Sequence, residues 1–592
     1  MEAMKRTVDC GSLRKPDNGK TVILNGWVHR KRNHGGIFFI NLRDRYGVTQ
    51  VTVDTESKQE LAAVCDELRN EYVIAVEGQV SLRPDGMVNP AMETGEIEVT
   101  ASRLVVLNKA EVLPFQIDEE SKASEETRLK YRYLDLRTAA MQKSIRMRSE
   151  TAFAVREWMT FNGFYEIETP TFIKSTPEGA RDYLVPSRLY PGKFYALPQS
   201  PQLYKQILMV AGFDKYFQIA RCYRDEDSRG DRQPEFTQID IELSFAGRDD
   251  VLSVTEGLMR HVFKKVLGKD IPQKFKRLTW EEAMEFYGSD KPDLRFDMKL
   301  VDFSPFVEQC GFQAFKDALC AGGAVKALVV KGASSFSRKQ IDELESHAKI
   351  YKARGLAWMK VVSGGAFEGG VSKFFADNVA RITGALGAKE GDLILIVADA
   401  KRNVANTALG AVRSKLGRDL GLYSPDNFEF AWIVDFPMFE YDEENKKWEA
   451  AHHLFTWPQE KYHSTMESDP GSVKGDLYDL VLNGYELASG SIRIHDPEMQ
   501  KRVFKIVGID PGQAEKKFGF LTEAFKYGAP PHGGIAPGLD RLVMIMAGLS
   551  SLKDVIAFPK NSFAVSPMDD CPSEIEQKQL DELHLIIKKQ DS

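Results

Sequence analysis

KYFQIARCYRDEDSRGDRQPEFTQIDIELS, residues 215–244, is two alternating segments around a charged loop. Alternation of apolar and polar residues is the pattern of a half-buried strand. Lys215–Arg224 and Glu235–Ser244 both follow it, and Asp225–Arg232 (DEDSRGDR) has the charge of a loop. On the second segment Thr237, Ile239, Ile241 and Leu243 make an apolar face, with Phe236, Gln238, Asp240 and Glu242 opposite. Such a polar stripe on a β-prone strand predicts the floor of a site. The alternative is an exposed hairpin with one solvated face.

Working outward, Tyr485–His495 (YELASGSIRIH) also alternates, which would put Glu486 and Arg493 on opposite faces. A bulge at Gly490 would change that facing. Pro531–Arg541 (PHGGIAPGLDR) is glycine-rich and leads into an apolar helix expected at Leu539–Leu549. Arg541 falls in its first turn, where charge and free N–H groups together suit phosphate. Upstream, Ser144–Asn162 has helical periodicity and stops at Gly163, and Asp118–Arg128 (DEESKASEETR) has the composition of a linker. Residues 286–412 carry strand signals such as Leu393–Asp399 but no chemical motif, and a last helix is expected over Ser573–Lys589.

The N-terminal part predicts strands at Val22–Arg30, Ile37–Arg43, Val48–Asp54, Tyr72–Leu82 and Glu96–Leu107, with a helix at Ser57–Asn70. Five strands with a helix after the third is the order of an OB-fold barrel. Phe38, Ile40 and Leu42 share its inner face, which leaves Phe39 outside with Gln50, near Arg30, Lys31, Arg32 and Arg45. An aromatic among cations with an amide beside it suits single-stranded nucleic acid; a plain solvated face is the alternative.

Composition narrows the classes. The chain has 592 residues, 43% of them hydrophobic and 28% charged, which fits a multi-domain globular protein and excludes disordered, collagen-like and coiled-coil ones. Its formal charge of −7 argues against non-specific coating of nucleic acid. No segment has the roughly 18 to 20 apolar residues of a membrane helix, and the N-terminus lacks a secretory h-region. A cytoplasmic protein with no membrane partner is expected. Six cysteines without a CxxC pair point away from a zinc ribbon. Gly19-Lys20-Thr21 ends like a P-loop, but Arg14 stands where its first glycine is needed. No GxGxxG follows a strand, so any nucleotide site is neither Walker nor Rossmann.

Gly163–Pro170 (GFYEIETP), Arg224–Glu226 with Arg232–Asp240 (RQPEFTQID), and Gly538–Arg541 (GLDR) are similar, in that order, to motifs 1, 2 and 3 of the class II aminoacyl-tRNA synthetases. With the N-terminal barrel they resemble the subclass that charges aspartate, asparagine and lysine. Thr176–Tyr183 (TPEGARDY), Gln199–Lys205 (QSPQLYK) and the long insertion resemble the bacterial-type aspartyl enzymes.

The resemblance implies an α+β multidomain fold: an OB barrel (1–108), a hinge (109–137), a catalytic antiparallel sheet with flanking helices (138–285 and 413–560), an inserted α/β domain (286–412) and a C-terminal extension (561–592). It implies an aspartate–tRNA ligase using ATP and Mg²⁺, dimeric through motif 1. Arg224, Glu486 and Arg541 would be catalytic. Asp225, Glu226, Gln233, Phe236, Gly538, Leu539 and Asp540 would join them around ATP, with Asp479 and Glu486 as metal ligands. Glu178, Gln202, Leu203, Tyr204, Lys205, Arg224, Asp240, His452 and Arg493 would hold L-aspartate, Lys205 and Arg493 pairing with its side chain. Phe39 and Gln50 would meet the anticodon. His34, with Gly86 as a second position, would relax the choice between tRNA(Asp) and tRNA(Asn), which implies a downstream tRNA amidotransferase. A strictly discriminating enzyme and a catalytically dead tRNA-binding relative are the alternatives.

Overall fold

The computed structural model describes residues 4–118, 122–176, 179–226, 230, 232–308 and 310–588. They form two compact units, Met1–Lys143 with Pro567–Asp569, and Ser144–Ser566 with Asp570–Ser592.

The first unit is a closed five-stranded barrel: β1 (Thr21–His34), β2 (Ile37–Arg43), β3 (Val48–Asp54), β4 (Val73–Leu82) and β5 (Ile97–Asn108), in the order β1-β2-β3-β5-β4. Helix α1 (Gln59–Glu67) follows β3. Alternation drives the closure, since Phe38, Ile40, Leu42, Val51 and Val53 all point inward and are buried. β1 runs four residues beyond the expected Arg30. Its polar end is held by pairing with β2, out to His34 opposite Ile37, rather than by burial. Gly35 and Gly36, at φ +59° and +80°, supply the two left-handed positions that this tight turn requires. The expected linker also contains a helix, Glu125–Lys130: Ser124 Oγ accepts from Thr127 N (3.2 Å), and acidic residues open the helix while basic ones close it.

The second unit is built on an eight-stranded sheet. Its strands are β6 (Tyr165–Glu166), β7 (Lys215–Tyr223), β8 (Glu235–Ser244), β9 (Lys276–Thr279), β10 (Phe430–Val434), β11 (Leu477–Leu482), β12 (Tyr485–Ile492) and β13 (His532–Pro537). They lie in the order β9-β10-β11-β12-β13-β8-β7-β6, antiparallel except for the pairs at either edge. Helices α2 (Ala139–Phe161), α4 (Arg248–Leu267) and α5 (Leu539–Met546) cover the Ile239, Ile241 and Leu243 face of β8 with one apolar core. Helix α3 (Gln202–Val210) contacts β8 and β7.

Between β9 and β10 the chain builds a separate five-stranded sheet: Leu300–Asp302, Ala324–Val330, Leu393–Asp399, Ala357–Val361 and Phe367–Glu368. Leu393, Leu395 and Val397 enter one core, and Ile394 and Ile396 the other. A strand buried on both faces explains why this stretch reads as an unbroken apolar run. The helix expected at Ser573–Lys589 shrinks to Gln577–Glu582 among the described residues. Leu580 alone is buried within it, so it has no apolar face to extend it.

Four cysteines are buried; Cys320 and Cys571 are exposed, and all six are free thiols.

Candidate active site

The polar face of β8 floors a cavity of about 790 Å³, walled by β12, the start of α3 and the start of α5. At its base lies a group of buried charges. Lys205 Nζ sits 2.6 Å from Asp240 Oδ1 and 3.2 Å from Glu242 Oε2. Arg493 forks onto Glu242, Nε donating to Oε1 (3.0 Å) and Nη2 to Oε2 (3.3 Å). Two cations and two carboxylates, none above 7% exposed, thus neutralise one another. Burial raises the Asp240 carboxyl above its ordinary range, against the pull of Lys205. At Glu242 burial acts the same way but Arg493 and Lys205 outweigh it, so that carboxyl is lowered and stays ionised. Asp240 Oδ2 is buried and has no hydrogen-bond partner, leaving one carboxylate oxygen available at the cavity.

Backbone geometry makes this packing fit. A Cβ on Gly534 would come within 1.9 Å of Glu242 Oε2, and one on Gly490 within 2.3 Å of the Gly534 carbonyl. Glycine is needed at both places for close approach. Gly490 is not the bulge that the sequence suggested, because it pairs regularly with Tyr478 and Ile535. The register shift falls instead between Leu480 and Val481, which pair with Ala488 and Glu486 and leave Leu487 as the extra residue. One added residue inverts the alternation, so Glu486 and Arg493 both line the cavity.

His453 Nε2 lies 2.7 Å from Arg493 Nη1 and 3.3 Å from Ser491 Oγ. A guanidinium can only donate, and Phe455 N–H faces Nδ1 at 3.2 Å, so these surroundings disfavour a protonated ring. Burial and then Arg493 hold its pKa well below the ordinary value. His452 packs edge-on against Phe436 at 5.0 Å and lies in the field of Glu486 and Asp290.

The motif 2 and 3 residues line the same cavity. The Arg224 guanidinium stands 5.0 Å over the Phe236 ring, and Arg232 pairs with Glu226 at 2.6 Å. Arg541 Nη1 donates to the Glu486 carbonyl. Asp540 Oδ2 accepts from Thr237 N (2.6 Å), and Arg148 of α2 pairs with the same carboxylate, tying the start of α5 to β8. Asp479 is buried opposite Ser489, in the field of Glu486. Its Oδ1 is without a hydrogen-bond partner, and burial followed by the Glu486 charge pushes its carboxyl well above the ordinary range.

Of the residues singled out in the sequence, Arg224, Glu226, Gln233, Phe236, Glu486, Gly538, Asp540, Arg541, Gln202, Lys205, Asp240, His452 and Arg493 line this one cavity. Gln233 also grips the Lys560 main chain, accepting at 2.8 Å and donating at 3.1 Å. Asp225, Leu203, Tyr204, Leu539 and Asp479 are not among the lining residues. Leu203 packs with Phe455 and Phe518, because on α3 it faces away from the side that carries Gln202 and Lys205. Tyr204 sits 6.3 Å from the Phe520 ring, Leu539 is core, and Asp225 pairs with Arg181. Glu178 lies outside the described residues. His453, the second of the adjacent histidine pair in which either ring could meet the substrate, lines the cavity as His452 does. The polar stripe on β8 already contained Glu242 but not its anchoring role, and no local pattern marks Lys291.

On the barrel, Phe39 is half-buried between Arg32 and Thr52 in register, facing outward. Gln50 Nε2 donates to Glu98 Oε2 (2.9 Å). His34 is exposed at the end of β1, and Gly86 is exposed in a turn at φ +84°.

Known proteins agree with this architecture. Residues 22–107 match the model of an OB-fold nucleic acid binding domain. An aspartate–tRNA(Asp/Asn) ligase of Treponema denticola is 70% identical over 591 residues, all of both chains. A protein of the same name from Treponema pallidum is 57% identical over 99% of this chain and 98% of its own. The crystal structure of asparaginyl-tRNA synthetase from Pyrococcus horikoshii with asparaginyl-adenylate shares the fold, at TM-score 0.59 and 19% identity over 94% of this chain and 98% of that one. Residues 124–562 match the model of the class II tRNA synthetases for D, K and N, and the chain belongs to that family.

Proposed function

We propose that the chain is an aspartate–tRNA ligase that charges both tRNA(Asp) and tRNA(Asn). The observation that carries the substrate is the buried Lys205–Arg493 pair at the base of the cavity. Aspartate, asparagine and lysine end in a carboxylate, an amide and an ammonium. Lys205 and Arg493 can only donate, so even with their charge offset by Asp240 and Glu242 they favour the first over the second and disfavour the third. Asp240 Oδ2, unpartnered at the same place, suits the substrate ammonium, with Gln202 beside it.

The chemistry is then one of placement and charge. Arg224 would bring the aspartate α-carboxylate against the ATP α-phosphorus. The carboxylate oxygen bonds to phosphorus as the bond to the bridging oxygen breaks, giving aspartyl-adenylate and pyrophosphate. Phe236 would carry the adenine and Arg541 the far phosphates. The 3′-terminal hydroxyl of tRNA next attacks the aspartyl carbonyl, and AMP leaves. Asp479, whose buried oxygen lacks a partner, and Glu486 supply the hard oxygens that suit Mg²⁺. They would hold it there, its charge offsetting that of the phosphates.

Exposed Phe153 and Phe161 on α2, with Tyr165 and Phe172 after it, give motif 1 an apolar surface that suits a homodimer. No described helix is long and apolar enough to cross a membrane; we place the enzyme in the cytoplasm. The barrel would read the anticodon through Phe39 and Gln50, with residues 286–412 as an appendage of the catalytic domain. Phe39→Ala is expected to lower tRNA aspartylation about tenfold or more, from the lost stacking. Aspartate-dependent ATP–pyrophosphate exchange is expected to stay at the wild-type rate; equal loss in both assays would remove Phe39 from tRNA binding.

His34, Gly86 and the names of the Treponema relatives support relaxed tRNA choice, whose misacylated product would need an amidotransferase. Parallel aspartylation of tRNA(Asp) and tRNA(Asn) transcripts tests the whole reading. Charging of both is expected; charging of tRNA(Asp) alone overturns the relaxed choice, and charging of neither overturns the ligase.

A further inference from the structure

One cation in the cavity comes from none of the motifs. Lys291, in the short stretch that enters the inserted domain, lines the cavity beside Gly484, Tyr485 and Glu486. It is exposed and has no ion-pair partner among the described residues. Its backbone is nevertheless fixed on both sides. Lys291 N donates to Ser289 Oγ (3.1 Å). Two residues on, Asp293 lies so close to the β11–β12 turn that a Cβ on Gly484 would meet its Cβ at 3.1 Å. Arg295 forks onto the Asp293 carboxylate (2.9 and 2.6 Å), and buried Arg413 donates to the Asp293 carbonyl (2.8 Å).

The segment lies near Glu486, since Asp293 packs against Gly484 two residues before it. Lys291 and Asp290 both act on Asp479, and Asp290 acts on His452 as well. Arg541 reaches the Glu486 carbonyl. An unpaired cation on an anchored backbone, in the cavity that Arg541 also lines, is suited to an anionic ligand, because it forms a charge-assisted contact without first breaking another. A purely solvated lysine would not need a rim fixed against the Asn483-Gly484 turn.

We propose that Lys291 binds the β- and γ-phosphates of ATP and the pyrophosphate that leaves, so that the start of the inserted domain completes the ATP site. The inference rests on the ligase reading above. Its test is aspartate-dependent ATP–pyrophosphate exchange by the full-length chain, with Lys291→Met and Lys291→Arg. The methionine variant is expected to raise the KM for ATP and for pyrophosphate about tenfold, the loss of one charge-assisted hydrogen bond. Its KM for aspartate and its melting temperature should be unchanged, and arginine should restore most of the loss. An ATP KM within twofold of wild type overturns the proposal, as does an equal rise in the aspartate KM. Absence of exchange in the wild-type chain itself would instead overturn the ligase reading, and the proposal with it.

Discussion

Arg493→Lys is expected to lower kcat/KM for aspartate activation at least about 100-fold while leaving the KM for ATP near wild type. The guanidinium makes two donations to Glu242, and its Nη1 also serves Ser491 Oγ at 2.7 Å and His453. A single ammonium cannot keep that fork and still present a donor to the substrate. Losing two charged hydrogen bonds costs about 3–6 kcal/mol, and about 1.4 kcal/mol is tenfold in rate. Exchange kinetics with varied aspartate measure it. A change in kcat/KM of less than threefold would show that Arg493 does not select the substrate.

Glu242→Ala is expected to destabilise the catalytic unit by about 3–5 kcal/mol, because it leaves Lys205 and Arg493 buried without their shared counter-charge. Glu242→Gln keeps the volume against Gly534 but not the charge, and should fall between the two. The sign follows from the Glu242 carboxyl being lowered by its partners: its contribution is present above the ordinary carboxylate range and is lost as pH falls through the folded-state value. Urea denaturation near neutral pH, followed by a signal from the catalytic unit, measures the loss. A cost under about 1 kcal/mol would mean that the two cations do not depend on Glu242.

Local alternation carried most of the fold. β2, β3 and β8 begin and end where the pattern places them; β2 buries one face of side chains, and β8 buries its apolar face in the core and Asp240 and Glu242 in the site. What alternation cannot carry is pairing. The end of β1 is a strand only because β2 lies beside it, and the bulge at Leu487 depends on the register with β11. Phe236 and Asp240 of β8 and Asp540 and Arg541 of α5 line the cavity, whereas Leu539 turns into the core. By contrast, carrying over a contiguous run such as Gln202–Lys205 ignores that successive residues on a helix face different ways, hence the placement of Leu203 and Tyr204. Lys291 had no local mark at all, since its place depends on the distant turn at Gly484.

The order of strands across the sheet has a consequence for synthesis on the ribosome. β8 pairs on one side with β7, its neighbour in sequence, and on the other with β13, where Ser244 meets His532. Those partners are 288 positions apart (532 − 244). At about 5–20 residues per second, about 15–60 s pass between the emergence of the two strands. Throughout that interval the edge of β8 that will pair with β13 has no neighbour, and Arg493 arrives late to meet Glu242 on the polar face. The separate five-stranded sheet, with all its strands between 300 and 399, can meanwhile form. The substrate pocket is therefore among the last parts of the nascent chain to close.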